Sequence, residues 1–192
     1  MIDHRSYIVV EIPEPVRSQI QALRDSYNAV TATLPVEITL AGSSGVGPIP
    51  AGSELPQIEC YLDRVLANWS PFSTKFSAIR NFPNSSVFYL EPHDRTPFER
   101  LHQELRISGI PFSESVWPYN PHCTLSAGKS FLPETASELL SQAFPKEEFL
   151  IDTVSVYYLD DRTLNCKLLY ERKLNALPDR CSCPPCSRNE NY

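Results

Sequence analysis

No stretch of this sequence approaches the roughly 20 consecutive apolar residues that a membrane-spanning helix needs, so no membrane partner is expected. The first residues, Met1-Ile2-Asp3-His4-Arg5-Ser6, are too polar for a secretory leader, and a cytoplasmic protein is the expectation. Positive charge is also short. Seventeen basic residues stand against 23 acidic ones, for a net charge of -6. Holding a long duplex means neutralising many phosphates, and this composition is not built for that. A short nucleotide or an RNA end in a local pocket stays open. Glycine is scarce, at six residues against eighteen prolines, which predicts stiff turns and short elements. The loop Gly42-Ser43-Ser44-Gly45-Val46-Gly47 has no lysine and lacks the Gly-x4-Gly-Lys-Ser/Thr spacing of a phosphate loop, so it predicts only a rim.

The six cysteines offer no disulfide framework without a secretory leader. Cys60, Cys123 and Cys166 are scattered and read as small core residues. Cys181, Cys183 and Cys186 crowd the end of the chain, but no fourth metal ligand stands near them. The expectation is therefore no metal, with residues 1–175 as one folded unit of two lobes. Residues 176–192 read as a disordered Cys/Pro-rich tail.

What is present is the composition of an ordinary soluble globular chain, 42% hydrophobic and 21% charged. Residues 7–12 read as a strand. A helix follows with Val16, Ile20, Leu23 and Tyr27 on one face, and then a strand over residues 34–40. A second helix carries Ile58, Tyr61, Leu62, Val65, Leu66 and Trp69. Residues 72–79 and 87–90 form a hairpin around Asn81-Phe82-Pro83-Asn84-Ser85. Thr96, Pro97 and Glu99 resemble a capping box for a helix whose face is Phe98, Leu101 and Leu105, with His102 off that face and exposed. A strand over residues 119–125, a helix near 133–143, and a hairpin of 149–159 with 165–174 turning at Asp160–Thr163 complete the chain. His4, His93 and His102 are given no chemistry.

The order nearly repeats. Residues 7–42 and 87–128 each read strand, proline, helix, loop, strand. The first copy ends in Pro35-Val36-Glu37-Ile38-Thr39-Leu40-Ala41-Gly42. The second ends in Tyr119-Asn120-Pro121-His122-Cys123-Thr124-Leu125 and then Gly128. Strand alternation puts His122 with Thr124, and Glu37 with Thr39, on one face of each strand. An imidazole that titrates near neutrality and a hydroxyl donor suit an oxyanion and its proton. Alone, His122 reads better as a plain strand-face histidine; the second motif turns the reading toward a site.

The paired motifs resemble those of the 2H phosphoesterases, the superfamily of 2′-5′ RNA ligase-like proteins and cyclic phosphodiesterases. The signature there is two His-x-Thr/Ser strands in two α+β lobes. The second motif here matches it in full, and the first has Glu37 where a histidine stands. The resemblance implies an α+β fold of two pseudo-symmetric lobes, mainly antiparallel, with helices outside and a central cleft. It also implies hydrolysis or reversible transesterification of a 2′,3′-cyclic or 2′-5′ phosphodiester in a small nucleotide or RNA terminus, with no metal or cofactor, by a monomer. His122 would act as acid or base, Thr39 and Thr124 would clamp phosphate, and Tyr119 would line the substrate.

Glu37 alters that scheme. A carboxylate with a pKa near 4.3 is a base at pH 7, which leaves protonated His122 as the acid. It also sets a negative charge beside the phosphate. At about 4 Å and an effective dielectric of about 20, the repulsion is on the order of 4 kcal/mol. Two expectations follow: a one-way cyclic phosphodiesterase, or a catalytically impaired nucleotide- or RNA-binding protein of the same fold.

Overall fold

The computed structural model describes residues 1–160, 163 and 165–174. Part of the expected Asp160–Thr163 turn and the tail carrying Cys181, Cys183 and Cys186 lie outside the described residues.

The first sheet is built from β-branched strands. Strand β1, Ser6–Glu11, is followed after two prolines by helix α1, Val16–Tyr27, and then strand β2, Glu37–Ala41. Pro35 delays the strand relative to the predicted start at Leu34, and a single 3-10 turn, Thr31–Thr33, fills the gap. Strands β1 and β2 pair antiparallel. Helix α2, Leu55–Leu66, presents Ile58, Leu62 and Leu66 to the core.

The predicted strand over 72–79 divides at Lys75. Strand β3, Phe72–Thr74, belongs to one sheet and β4, Phe76–Asn81, to another. Strand β5, Phe88–Pro92, pairs antiparallel with β4. Helix α3, Thr96–Arg106, begins at Thr96, and the Asp94 carboxylate accepts the Thr96 N–H at 2.9 Å. Asp94 thus does the work assigned above to a Thr96 cap.

Strand β6, Cys123–Ser126, is shorter than predicted, because Pro118 and Pro121 keep its approach out of the ladder. Helix α4, Pro133–Ser141, buries Leu139 and leaves Leu140 exposed. Strand β7, Phe149–Ile151, pairs with β3. Strand β8, Thr153–Leu159, joins the first sheet between β1 and β9, Cys166–Lys173.

The result is an antiparallel sheet of order β2-β1-β8-β9, a second of order β4-β5-β6, and the β3-β7 ribbon. The α+β expectation holds, with all pairings antiparallel. So does the internal repeat: β1-α1-β2 and β5-α3-β6 are both strand–helix–strand units with adjacent strands. Ile8, Val10, Ile38, Leu40, Leu90, Cys123 and Leu125 share one hydrophobic core with the buried faces of the helices. Asp63 on α2 pins the outer strand by accepting from the Tyr170 hydroxyl and, at 2.6 Å, from Arg172. Among the described residues, no helix is long and apolar enough to cross a membrane.

Candidate active site

Strands β2 and β6 are edge strands of different sheets, and they lie against each other. Their inward residues, Ile38 and Leu40 on one and Cys123 and Leu125 on the other, are buried in the common core. Alternation therefore turns Glu37, Thr39, His122 and Thr124 to the opposite side, where all four are half-buried. The two strands also share an irregularity. Val9 faces Thr39 and Ile8 faces Ala41, so Leu40 is an extra residue. Tyr89 faces Thr124 and Phe88 faces Ser126, so Leu125 is an extra residue at the equivalent place. A bulge re-aims the side chains beside it, and here each bulge directly follows the motif threonine.

His122 precedes β6. Its Nδ1 lies 2.6 Å from the Asn120 carbonyl. A carbonyl only accepts, so Nδ1 carries the proton and Nε2 is the free lone pair. Phe82 and Tyr89 stand edge-on to the ring, with centroids 5.1 and 5.2 Å away. Burial among them lowers the imidazole pKa, and the bond to Asn120 opposes this in part. His122 is thus neutral near pH 7.

Glu37 shows the converse. The residue keeps some solvent contact, but its carboxyl group is enclosed by protein. Desolvation raises its pKa to about 7, against the opposing pull of Arg24 and of the Thr39 hydroxyl. Thr39 Oγ1 donates to the carboxylate, 3.1 Å from each oxygen. The Thr124 hydroxyl makes no hydrogen bond among the described residues. These directions favour the reverse of the division of labour expected above: Glu37 tends to hold a proton at neutral pH and His122 tends not to.

Tyr119 lies beside the site, but its polar atom is already engaged. Its hydroxyl donates to the Thr39 carbonyl at 3.1 Å. His102, expected on the surface, is buried at 3% exposure. Its ring lies flat on Tyr119, and Nδ1 donates to the Leu40 carbonyl at 2.7 Å.

Three further residues escaped the motif search. Arg24 was not on the predicted α1 face, yet it is 2% exposed while Leu23 is only half-buried. Its Nε donates to the Thr124 carbonyl, and its Nη1 to the Leu34 and Pro35 carbonyls, each at 2.9 Å. One guanidinium thereby ties the approach to β2 to the middle of β6. Asn28, also buried, bonds Ser126 Oγ and the Ala127 carbonyl at 2.8 and 2.9 Å. Glu11 pairs across the ladder with Glu37, and Ser155 and Tyr157 donate to its carboxylate at 2.7 and 2.8 Å. The signal for Arg24 was its place four residues after Ile20. Arg24→Leu keeps bulk but strands three half-buried carbonyls. It is expected to lower the unfolding free energy by about 3 kcal/mol or more, read from urea denaturation.

A groove of about 940 Å³ between α1 and α4 contains none of these groups. Two hydrogen bonds cross its lining: Gln142 donates to the Tyr27 hydroxyl at 2.7 Å, and Lys129 to the Tyr27 carbonyl at 2.8 Å.

Comparison with known proteins gives the family and the fold. Residues 12–163 match the family model of the 2′-5′ RNA ligase superfamily. A curated Geobacillus kaustophilus (strain HTA426) protein named "Putative phosphoesterase GK0864" is 25% identical over 79% of this chain and 84% of its own. Among solved structures, TT0787 of Thermus thermophilus matches 88% of this chain and 97% of its own, with a TM-score of 0.67 at 19% identity. E. coli LigT complexed with 3′-AMP matches 90% and 99%, with a TM-score of 0.60 at 17% identity. At those identities the structural likeness speaks for the fold. The family match covers most of the sequence, and the chain belongs to the 2′-5′ RNA ligase superfamily.

Proposed function

We propose that the protein hydrolyses a 2′,3′-cyclic or 2′-5′ phosphodiester in a small nucleotide or RNA end, with His122 as general base and Glu37 as general acid. The supporting observation is the side-by-side placement of two bulged x-Thr strands, in each of which the motif residues, Glu37 with Thr39 and His122 with Thr124, alternate with buried core residues. His122 Nε2 takes a proton from water, and the water oxygen forms a bond to phosphorus. The bond from phosphorus to one ribose oxygen breaks, and the Glu37 carboxylic acid gives its proton to that oxygen. The product is a phosphomonoester. Imidazolium and carboxylate remain, held by the Asn120 carbonyl and the nearby Arg24 guanidinium, until the proton returns through solvent. The Thr124 hydroxyl donates to a non-bridging oxygen. A protonated Glu37 also removes most of the charge repulsion that a fixed carboxylate would impose on the phosphate.

A second reading rests on one bond. Thr39 spends its hydroxyl on Glu37, which suits a protein that binds nucleotides without cleaving them. LigT has been crystallised with 3′-AMP, ATP and NADP+, so nucleotides are the first ligands to try. Incubation with 2′,3′-cyclic AMP, with chromatography of the products, is expected to yield the monoester. Binding of 3′-AMP without turnover, together with turnover gained in Glu37→His, would select the second reading. Neither binding nor turnover would overturn both.

A further inference from the structure

The two halves of the site are held crosswise. Helix α1 packs on β6, and helix α3 packs on β2, so each helix touches the motif strand of the other unit. Arg24 of α1 holds the Thr124 carbonyl of β6. The reciprocal contact is His102 of α3 on the Leu40 carbonyl of β2. Leu40 is the bulged residue, for which the β1 ladder supplies no opposite residue. The carbonyl just before it, on Thr39, takes the Tyr119 hydroxyl. Two successive carbonyls of the motif strand are thus gripped by two rings from the second unit. Those rings lie face to face, 3.8 Å apart between centroids and 3° from parallel.

The grip is closed from above by the loop after β2. Gly45 has φ +71°, and a Cβ there would sit 2.2 Å from His102 Cε1 and 3.0 Å from Tyr119 Cβ. Its N–H donates to the Trp117 carbonyl at 2.8 Å. The glycine-rich segment thus lets the loop press on the ring pair. His102 cannot serve as a surface histidine, and burial keeps it neutral. Tyr119 is likewise no free acid, because burial first and then the Glu37 charge raise its pKa well above the ordinary phenol range.

We propose that His102 and Tyr119 are positioning residues that fix the β2 bulge, and through it the aim of Glu37 and Thr39 toward the His122 half of the site. Neither touches the reacting atoms. This inference rests on the hydrolase reading for its kinetic consequence, but the placement of Glu37 can be read without catalysis.

The test uses three variants of the full chain. Tyr119→Phe keeps the stack and deletes the donor to Thr39. His102→Leu deletes the donor to Leu40. His102→Asn restores a donor at the Nδ1 position without the ring. Glu37 titration is followed by NMR of its labelled carboxyl carbon, and kcat is measured on 2′,3′-cyclic AMP. In Tyr119→Phe and His102→Leu the Glu37 midpoint is expected to fall from about 7 toward the ordinary 4.5 as water reaches the carboxyl. kcat is expected to fall about tenfold or more, since small misplacements of catalytic groups are costly. His102→Asn is expected to recover part of both losses. A purely structural role would lower thermal stability and leave the Glu37 midpoint in place. If the midpoint moves while the wild type turns over no substrate, the clamp stands and the hydrolase reading falls. If Tyr119→Phe, which removes one oxygen and folds even where the His102 variants do not, shows a wild-type midpoint, the clamp is overturned.

Discussion

His122→Asn is expected to lower kcat/KM for 2′,3′-cyclic AMP by about 10²–10⁴-fold, the usual worth of a positioned general base. That corresponds to about 3–5 kcal/mol of transition-state stabilisation. Asparagine isolates the effect. Its amide can still donate to the Asn120 carbonyl, as His122 Nδ1 does at 2.6 Å. What disappears is the Nε2 lone pair and the imidazole edge against Phe82 and Tyr89. The thermal midpoint should move by no more than a few degrees, since His122 is only half-buried and lies outside the strand ladder. Steady-state kinetics and a circular dichroism melt on the same preparation check both parts. Near-wild-type turnover in this variant would remove His122 from the chemistry and leave the motif a binding feature.

Much of the fold was legible because its signals are periodic. The strand–helix–strand repeat, the two x-Thr strands and their shared core side follow from alternation and from the 3.6-residue period. His102 was placed against that periodicity, and Arg24 went unmarked although it follows the same period. His102 follows Phe98 by four and precedes Leu105 by three, so it lies within the buried stripe of α3, not off it. Arg24 follows Ile20 by four and precedes Tyr27 by three, in the same way. The pattern places both residues inward, but polarity argued for the surface, and polarity lost because backbone carbonyls were waiting at Leu40, Leu34, Pro35 and Thr124. The Leu40 and Thr124 acceptors lie 62 and 100 residues away, and no local window contains them.

The bulges were invisible for a related reason. A bulge is a relation between two strands, and the residues of β2 alone read as an unbroken alternation. Leu40 and Leu125 show themselves as extra residues only once Ile8 and Phe88 are known to face Ala41 and Ser126. The protonation states were out of reach too. Glu37 reads as a solvated carboxylate on a strand face until the packing of β2 on β6 encloses it.

That enclosure gives the second large effect, an activity that declines as pH rises. The productive form needs Glu37 protonated and His122 neutral at once. Burial lowers the His122 pKa from its ordinary value of 6.5 and raises that of Glu37 to about 7, so the two conditions overlap in a window just below neutrality. Above about 7 Glu37 loses its proton, and kcat/KM is expected to fall by about tenfold per pH unit. Stability should move in the same direction. Glu37 binds its proton more tightly folded than unfolded, so its stabilising contribution is complete below the unfolded value of 4.5 and is lost as pH rises through about 7. With some solvent contact remaining, the loss is on the order of 2–3 kcal/mol. Glu37→Gln should abolish turnover and remove the fall in stability between pH 5 and 8. A wild-type rate that climbs instead from pH 7 to 9 would remove Glu37 as the general acid, because the protonated carboxyl disappears over that range.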